Sequence, residues 1–365
     1  MGASTFAAIA GLPLEIESIE YTPLVRDTSS GFTKITTVVS LRGRGEEGLG
    51  EDVTWDQIDH IEFLRNPTIG GLGGTWGLAE LSAALDEIDL FPVAPCRPAS
   101  RLYRRWAFES AALDLALRQA GLSLADALGR AASPVRFVSS VRLGEPPSVE
   151  PIHARMRHDP TLEFKLDPTV SWAADTLEKI AAACTVRVID LKGLYTNASV
   201  ELPPDPELYA RVIHAFPDAW IEDPAFTSET RPVLQDHLER LSWDEPIHSI
   251  DDLNTLPGPP GALNIKPARF GSLNAVFAAY DFCAATGTVA YGGGMFELGP
   301  GRGQLQYLAS LFHPDGPNDL APPEYNLASY DAALPPSPLT PQPHTTGFRW
   351  GEISLRRSIR DGALA

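Results

Sequence analysis

The chain has 365 residues, 44% hydrophobic and 21% charged, the composition of an ordinary globular protein with one large core or two domains. Its formal net charge of −18 repels phosphate backbones, which argues against a nucleic-acid partner. Three scattered cysteines, Cys96, Cys184 and Cys283, exclude a disulfide scaffold and offer no CxxC metal pair. No stretch approaches the ~18 apolar residues of a membrane span. The first residues lack a basic run and soon meet Glu15 and Glu17, so no secretory signal is expected and the chain reads as cytoplasmic.

Residues 14–24 and 33–43 read as strands, the second rich in β-branched residues, with a polar loop over 25–31 between them. Helical spacing follows at 76–84 and 102–120. Ala107, Ala111 and Ala112 favour close packing of the longer helix on a neighbour, and Gly121 suits its C-terminal cap. Residues 1–100 therefore read as an α+β unit. From about 134 apolar runs of strand length alternate with helical stretches. The strands are expected at 135–141, 162–166, 186–191, 219–222, 246–250, 262–266 and 288–291. The helices are expected at 171–184, 205–215, 229–241, 271–285 and 302–312. Such a βα rhythm predicts a parallel sheet with enough strands to close a barrel. The Pro/Gly run at 251–261 cannot hold a crossover helix, so the barrel should be irregular there.

Charged residues gather at the predicted C-terminal strand ends, where barrel sites form. They are Lys165 and Asp167, Asp190 and Lys192, Glu222 and Asp223, Asp251 and Asp252, Lys266, and Glu297. Residues two apart on a strand share a face, so Lys165/Asp167 and Asp190/Lys192 each direct two charges to one barrel mouth. Asp190, Glu222 and Asp251 could offer oxygen ligands to a hard cation such as Mg²⁺, with lysines beside it as bases. The cluster Lys165, Asp167, Asp190, Lys192, Glu222, Asp251, Lys266 and Glu297 holds three positive and five negative charges, an excess that suits a divalent ion. The plain alternative makes Asp251 a helix cap or loop residue, and Lys165 and Lys266 buried ion-pair partners.

These segments together resemble the enolase superfamily, in its muconate-lactonising-enzyme and mandelate-racemase branch, over nearly the whole chain. Gly48-Leu49-Gly50-Glu51 is similar to the capping domain's GxGE segment, and residues 109–117 resemble the helix that leads into the barrel. Phe164-Lys165-Leu166-Asp167 is similar to the second-strand KxK motif, and Asp190-Leu191-Lys192 to the third-strand DxN. Trp220-Ile221-Glu222-Asp223-Pro224 resembles IEQP, and Asn264-Ile265-Lys266-Pro267 with Gly271 resembles NxKP…G. Gly293-Gly294-Met295-Phe296-Glu297-Leu298-Gly299 resembles GGxxExG, and Asp319-Leu320-Ala321 the last strand's DLA.

The resemblance implies a modified (β/α)₇β TIM-like barrel, residues 101–329, with an α+β N-terminal capping domain, residues 1–100, onto which 330–365 folds back. It implies one Mg²⁺ held by Asp190, Glu222 and Asp251, a small carboxylic acid as substrate, and removal of the proton α to its carboxylate. Lys266 is the expected base, with Lys165, Lys192 and Asp167 as further catalytic candidates. Arg26 and Ser29 of the cap loop, Glu297 and Gly294 are the expected substrate-binding residues. Arg26 either pairs with a distal anion or is a solvated loop residue. The resemblance leaves room for a homo-oligomer and points to no membrane or nucleic-acid partner.

Three departures matter. Asp167 stands where the second Lys of KxK is expected, and Lys192 where the family has Asn. Lys192 either takes over as second base or forms an inert salt bridge to Asp167. At the fifth strand Asp251-Asp252 replaces Asp-Glu. Asp244 would be the ligand under another register, but His248-Ser249-Ile250-Asp251 fits a strand better. The departures favour one-base elimination or cycloisomerisation over two-base epimerisation. They also leave open a catalytically silent relative that keeps the fold for binding or assembly.

Overall fold

The computed structural model describes residues 4–67, 70–195, 203–326 and 334–352. The N-terminal part runs β1 (Pro13–Ile16), β2 (Ser18–Asp27), β3 (Thr33–Gly43), β4 (Glu46–Asp52), α1 (Gln57–Arg65), β5 (Gly74–Gly77), α2 (Leu78–Glu87), α3 (Ser100–Ala120) and α4 (Leu124–Leu128). It continues as β6 (Val138–Val141), α5 (Glu150–Met156), β7 (Glu163–Leu166), α6 (Ala174–Ala183), β8 (Thr185–Asp190), α7 (Pro206–Ala215), β9 (Trp220–Glu222), α8 (Arg231–Leu234) and β10 (Leu241–Trp243). It ends with β11 (Ala262–Ile265), α9 (Pro267–Phe270), α10 (Leu273–Thr286), β12 (Val289–Gly292) and α11 (Pro300–Phe312).

β2, β3 and β4 form an antiparallel sheet, and β1 pairs separately with β5. The expected strand 14–24 is thus two strands in two sheets, because Leu14 pairs with Trp76 while Ile19 pairs with Leu41. The loop expected at 25–31 is shorter, since Val25 and Arg26 pair with Ile35 and Lys34. Trp76 belongs to β5, so the helix expected from 76 starts at Leu78.

α3 is buried along most of its length and packs on β4. An ideal Cβ at Gly48 would lie 2.2 Å from the Ala111 carbonyl oxygen, and one at Gly50 1.9 Å from that of Ala107. The two glycines let the sheet lie directly on the alanine face of the helix. Gly121 ends α3 at φ +68°, as its position predicts.

β6 to β12 form a seven-stranded parallel sheet in sequential order. Its edges are bridged by Asn318, which pairs with Phe137, and Asp319, which pairs with Gly293. The architecture is therefore the expected modified TIM-like barrel with an α+β cap. The fifth strand is a correction. It is Leu241–Trp243, paired with Ile221–Glu222 on one side and Ala262–Leu263 on the other. The run 246–250 forms no strand, and the helix expected over 229–241 ends early in a 3₁₀ segment, Gln235–Arg240. Between β10 and β11 lies only a 3₁₀ turn, Asp251–Thr255, as the Pro/Gly run foretells.

Of the C-terminal segment 330–365, residues 330–333 and 353–365 lie outside the described residues. In the described part Leu339 pairs with Val135, while Phe348 and Arg349 hydrogen-bond to Asp114 of α3. Among the described residues no helix is long and apolar enough to cross a membrane.

Candidate active site

Three carboxylates converge where β8, β9 and β10 end. Asp190 closes β8, Glu222 closes β9 and Asp244 follows β10, and one oxygen from each lies within 4.8 Å of the others. All three are fully buried. Asp251 is not among them. It is exposed at the start of the 3₁₀ turn, and its neighbour Asp252 accepts the amide protons of His248 and Ser249 at 2.8 and 2.7 Å. The pair organises a loop, and the carboxylate that joins Asp190 and Glu222 is Asp244 in place of the expected Asp251. One sequence signal pointed there: Trp243-Asp244 ends a short apolar run much as Trp220-Ile221-Glu222 does.

Cations surround the triad. Lys165 donates to Glu222, lies 3.1 Å from Asp190 and is 3.8 Å from Asp319. Lys192, in the left-handed region at φ +51°, contacts Asp190 through its ammonium and lies 3.8 Å from Asp167. Lys266 donates to Asp244 Oδ2 at 2.7 Å, and Arg269 lies 3.3 Å from Oδ1 of the same residue. Arg269 also donates to the Tyr195 hydroxyl at 3.1 Å. The structure thus brings Lys165, Asp167, Asp190, Lys192, Glu222 and Lys266 into one mouth. In the sequence Asp244 stood only as the alternative to Asp251, and Arg269 and Tyr195 carried no signal.

Burial disfavours the ammonium of Lys165, yet Glu222 and Asp190 outweigh it and raise its pKa well above the ordinary lysine value. Asp167 and Asp190 do the same for Lys192 against its own burial. Glu222 is raised well above the carboxylate range by burial and by Asp190, Asp244 and Asp223, despite Lys165. Asp223 is raised to about 7 by burial and by Asp244 and Asp190. It accepts the amides of Asp244 and Glu245, both at 2.9 Å, and so shapes the turn that presents Asp244.

The donor set suits Mg²⁺. It is three carboxylates from three adjacent strands, all oxygen, and buried Asp244 Oδ1 accepts no hydrogen bond. The buried carboxylates crowded here raise one another's pKa, the repulsion that a cation held among them relieves.

Two clefts are lined by residues of both the N-terminal sheet and the barrel side, and neither is lined by a triad carboxylate itself. One is lined by Glu51, Val53, Trp106, Lys266, Gly293 and Glu297, among others. Of the three lysines near the triad, Lys266 lines it and Lys165 and Lys192 do not. The second is lined by Arg26, Thr28, Phe296, Glu297 and Asn326, among others. Ser29 is exposed, with its amide bonded to the Asn326 carbonyl at 2.8 Å. Glu297 pairs with Arg302 at 2.9 Å, and a Cβ on Gly294 would collide with that pair.

Two family models cover most of the chain: Domain of unknown function (DUF8230) N-terminal domain over residues 7–127 and Domain of unknown function (DUF8230) C-terminal domain over 131–327. The o-succinylbenzoate synthase of Bacillus subtilis (strain 168) is 36% identical over 91 residues, 24% of this chain and 24% of that protein. The o-succinylbenzoate synthase of Geobacillus stearothermophilus is 25% identical over 229 residues, 59% of this chain and 58% of that protein. The chain thus matches less than two thirds of either curated relative's length. The solved muconate cycloisomerase from Pseudomonas fluorescens is similar in fold, with a TM-score of 0.65 at 19% identity over 94% of this chain and 96% of its own.

Proposed function

The chain belongs to the DUF8230 family and has the enolase-superfamily fold, and from this premise we propose that it is a Mg²⁺-dependent lyase or isomerase that removes the proton α to the carboxylate of a small organic acid. The convergence of Asp190, Glu222 and Asp244 beside Lys266 carries this reading. In it, residues 1–100 cap the barrel of residues 101–329.

Asp190, Glu222 and Asp244 would hold the ion, which supplies a positive charge that stabilises the substrate carboxylate as negative charge develops on it. Lys266 takes the α-proton. It lines the cleft, and Asp244, held by Arg269, orients its amine. An α-proton is weakly acidic, so a positioned amine is needed to remove it at an enediolate-forming rate. Lys165 and Lys192 are engaged by Glu222, Asp190 and Asp167 away from the cleft, so they serve as fixed positive charges. Arg26 and Glu297 line the second cleft, where Arg26 receives a distal anionic or polar group, and Ser29 and Gly294 belong to the segments that carry them. One base on one face favours dehydration or cycloisomerisation over epimerisation.

The test is a screen of small carboxylic acids for α-proton exchange in deuterated water with Mg²⁺, on the native chain and on Lys266→Ala. Exchange that disappears in Lys266→Ala, by about 10²–10⁴-fold, supports the assignment. A second reading, a silent relative, draws on Asp167 and Lys192 standing at altered motif positions. It gains if no acid exchanges while Mg²⁺ still binds.

A further inference from the structure

The triad is held from below by a hydroxyl that no part of the proposed chemistry uses. Tyr291, on β12, reaches across the barrel interior and donates to Glu222 Oε2 at 2.6 Å. Its ring rests in a buried apolar cluster with Val188 and Ala262, against which Trp220 packs. Ser242, the direct neighbour of Glu222 across β9 and β10, lies 2.5 Å from the same hydroxyl. As a ligand to a cation Glu222 is ionised and only accepts, so in that state the Tyr291 proton goes to Glu222 and the Ser242 proton to Tyr291. Tyrosine has few torsions, and this one is fully buried, so the hydroxyl is a fixed donor. It occupies Oε2 of Glu222, while Oε1 accepts from Lys165, whose ammonium also lies 3.1 Å from Asp190.

We infer that Tyr291, backed by Ser242, is a positioning residue that makes Glu222 a one-oxygen ligand and so biases the triad towards Mg²⁺ over Ca²⁺. This rests on the metal reading proposed above. Mg²⁺ demands near-ideal octahedral geometry at short distance, whereas Ca²⁺ accepts two oxygens of one carboxylate in a looser shell. A Glu222 with both oxygens free can grip the larger ion with both. The fixed Tyr291 bond uses one lone pair of Oε2 and holds the carboxylate's rotation, which disfavours that two-oxygen grip, while Oε1 is held by the longer, more flexible Lys165 side chain.

Calorimetric titration of the full chain with Mg²⁺ and, separately, with Ca²⁺ tests this on the native protein, Tyr291→Phe and Ser242→Ala. Tyr291→Phe keeps the ring and its apolar contacts and removes only the donor. Its Mg²⁺ affinity should fall about tenfold, while Ca²⁺ affinity should hold within about twofold or rise. Ser242→Ala should shift the Mg²⁺/Ca²⁺ ratio the same way, by less. The inference is overturned if the native chain binds Mg²⁺ and Tyr291→Phe keeps the native ratio. It is equally overturned if both variants lose both ions in parallel, the sign of a damaged barrel. A native chain that binds neither ion removes the metal reading itself, and this inference with it.

Discussion

Lys266 and Asp244 meet at 2.7 Å across the ends of β11 and β10, which joins the cleft-lining lysine to the third carboxylate of the triad. The same carboxylate faces Arg269 and approaches the Tyr195 hydroxyl at 3.4 Å. Asp244 therefore both completes the carboxylate triad and orients the amine beside it.

Asp244 and Asp251 can be told apart directly. Asp244→Asn should weaken Mg²⁺ binding by at least about a hundredfold, because it removes one of three anionic ligands. Asp251→Asn, at an exposed turn position, should leave affinity within about twofold of native. Calorimetry on both variants decides it. The reverse ranking would return the ligand to the later position.

Lys192 is the rival base. Its ammonium is held between Asp190 and Asp167, so Lys192→Ala should retain α-proton exchange within about threefold, against the 10²–10⁴-fold scale of a lost base. Exchange measured by proton NMR in deuterated water checks it. Loss of exchange in Lys192→Ala with retention in Lys266→Ala would move the chemistry to β8.

His313 should make the fold acid-sensitive. Burial lowers its pKa from 6.5 to about 4, although its hydrogen bond with Asn318 favours the proton. The unfolded chain then binds a proton between pH 6.5 and about 4 that the folded chain refuses. The contribution is whole above pH 6.5 and is lost as pH falls to about 4, by ~3 kcal/mol. Urea unfolding at pH 7 and pH 4.5 should show His313→Gln with a smaller loss across that window than the native chain. Equal losses would contradict it.

Gly50 has no room for a side chain. With the Ala107 carbonyl 1.9 Å from an ideal Cβ, Gly50→Ala must push β4 off α3. A stability loss of ~3 kcal/mol is expected, seen as a lower thermal midpoint. An unchanged midpoint would mean the sheet and helix are less closely packed than described.

The βα rhythm, the cap ahead of it and the charges at strand ends were legible in the sequence. Buried parallel strands need continuous apolar runs, and inward charges at their ends stand out against them. Asp190, Glu222 and Lys266 follow from that pattern, because each ends or follows an apolar run with no more strand-like run beside it, although β9 is as short as β10. Asp244 does not. Leu241–Trp243 is three residues long, too short to show a period, and the apolar run after it looks more like a strand than it does. Its identity comes from hydrogen bonds to β9 and β11, supplied by residues some twenty positions away on either side. Tyr291 carries still less local signal: its role lies in a hydroxyl that reaches Glu222 from three strands away in the sheet. Local pattern determines which segments are strands when they are long enough to repeat. Which side chains share a site across the barrel is decided by register and closure, and those exist only once the strands have paired.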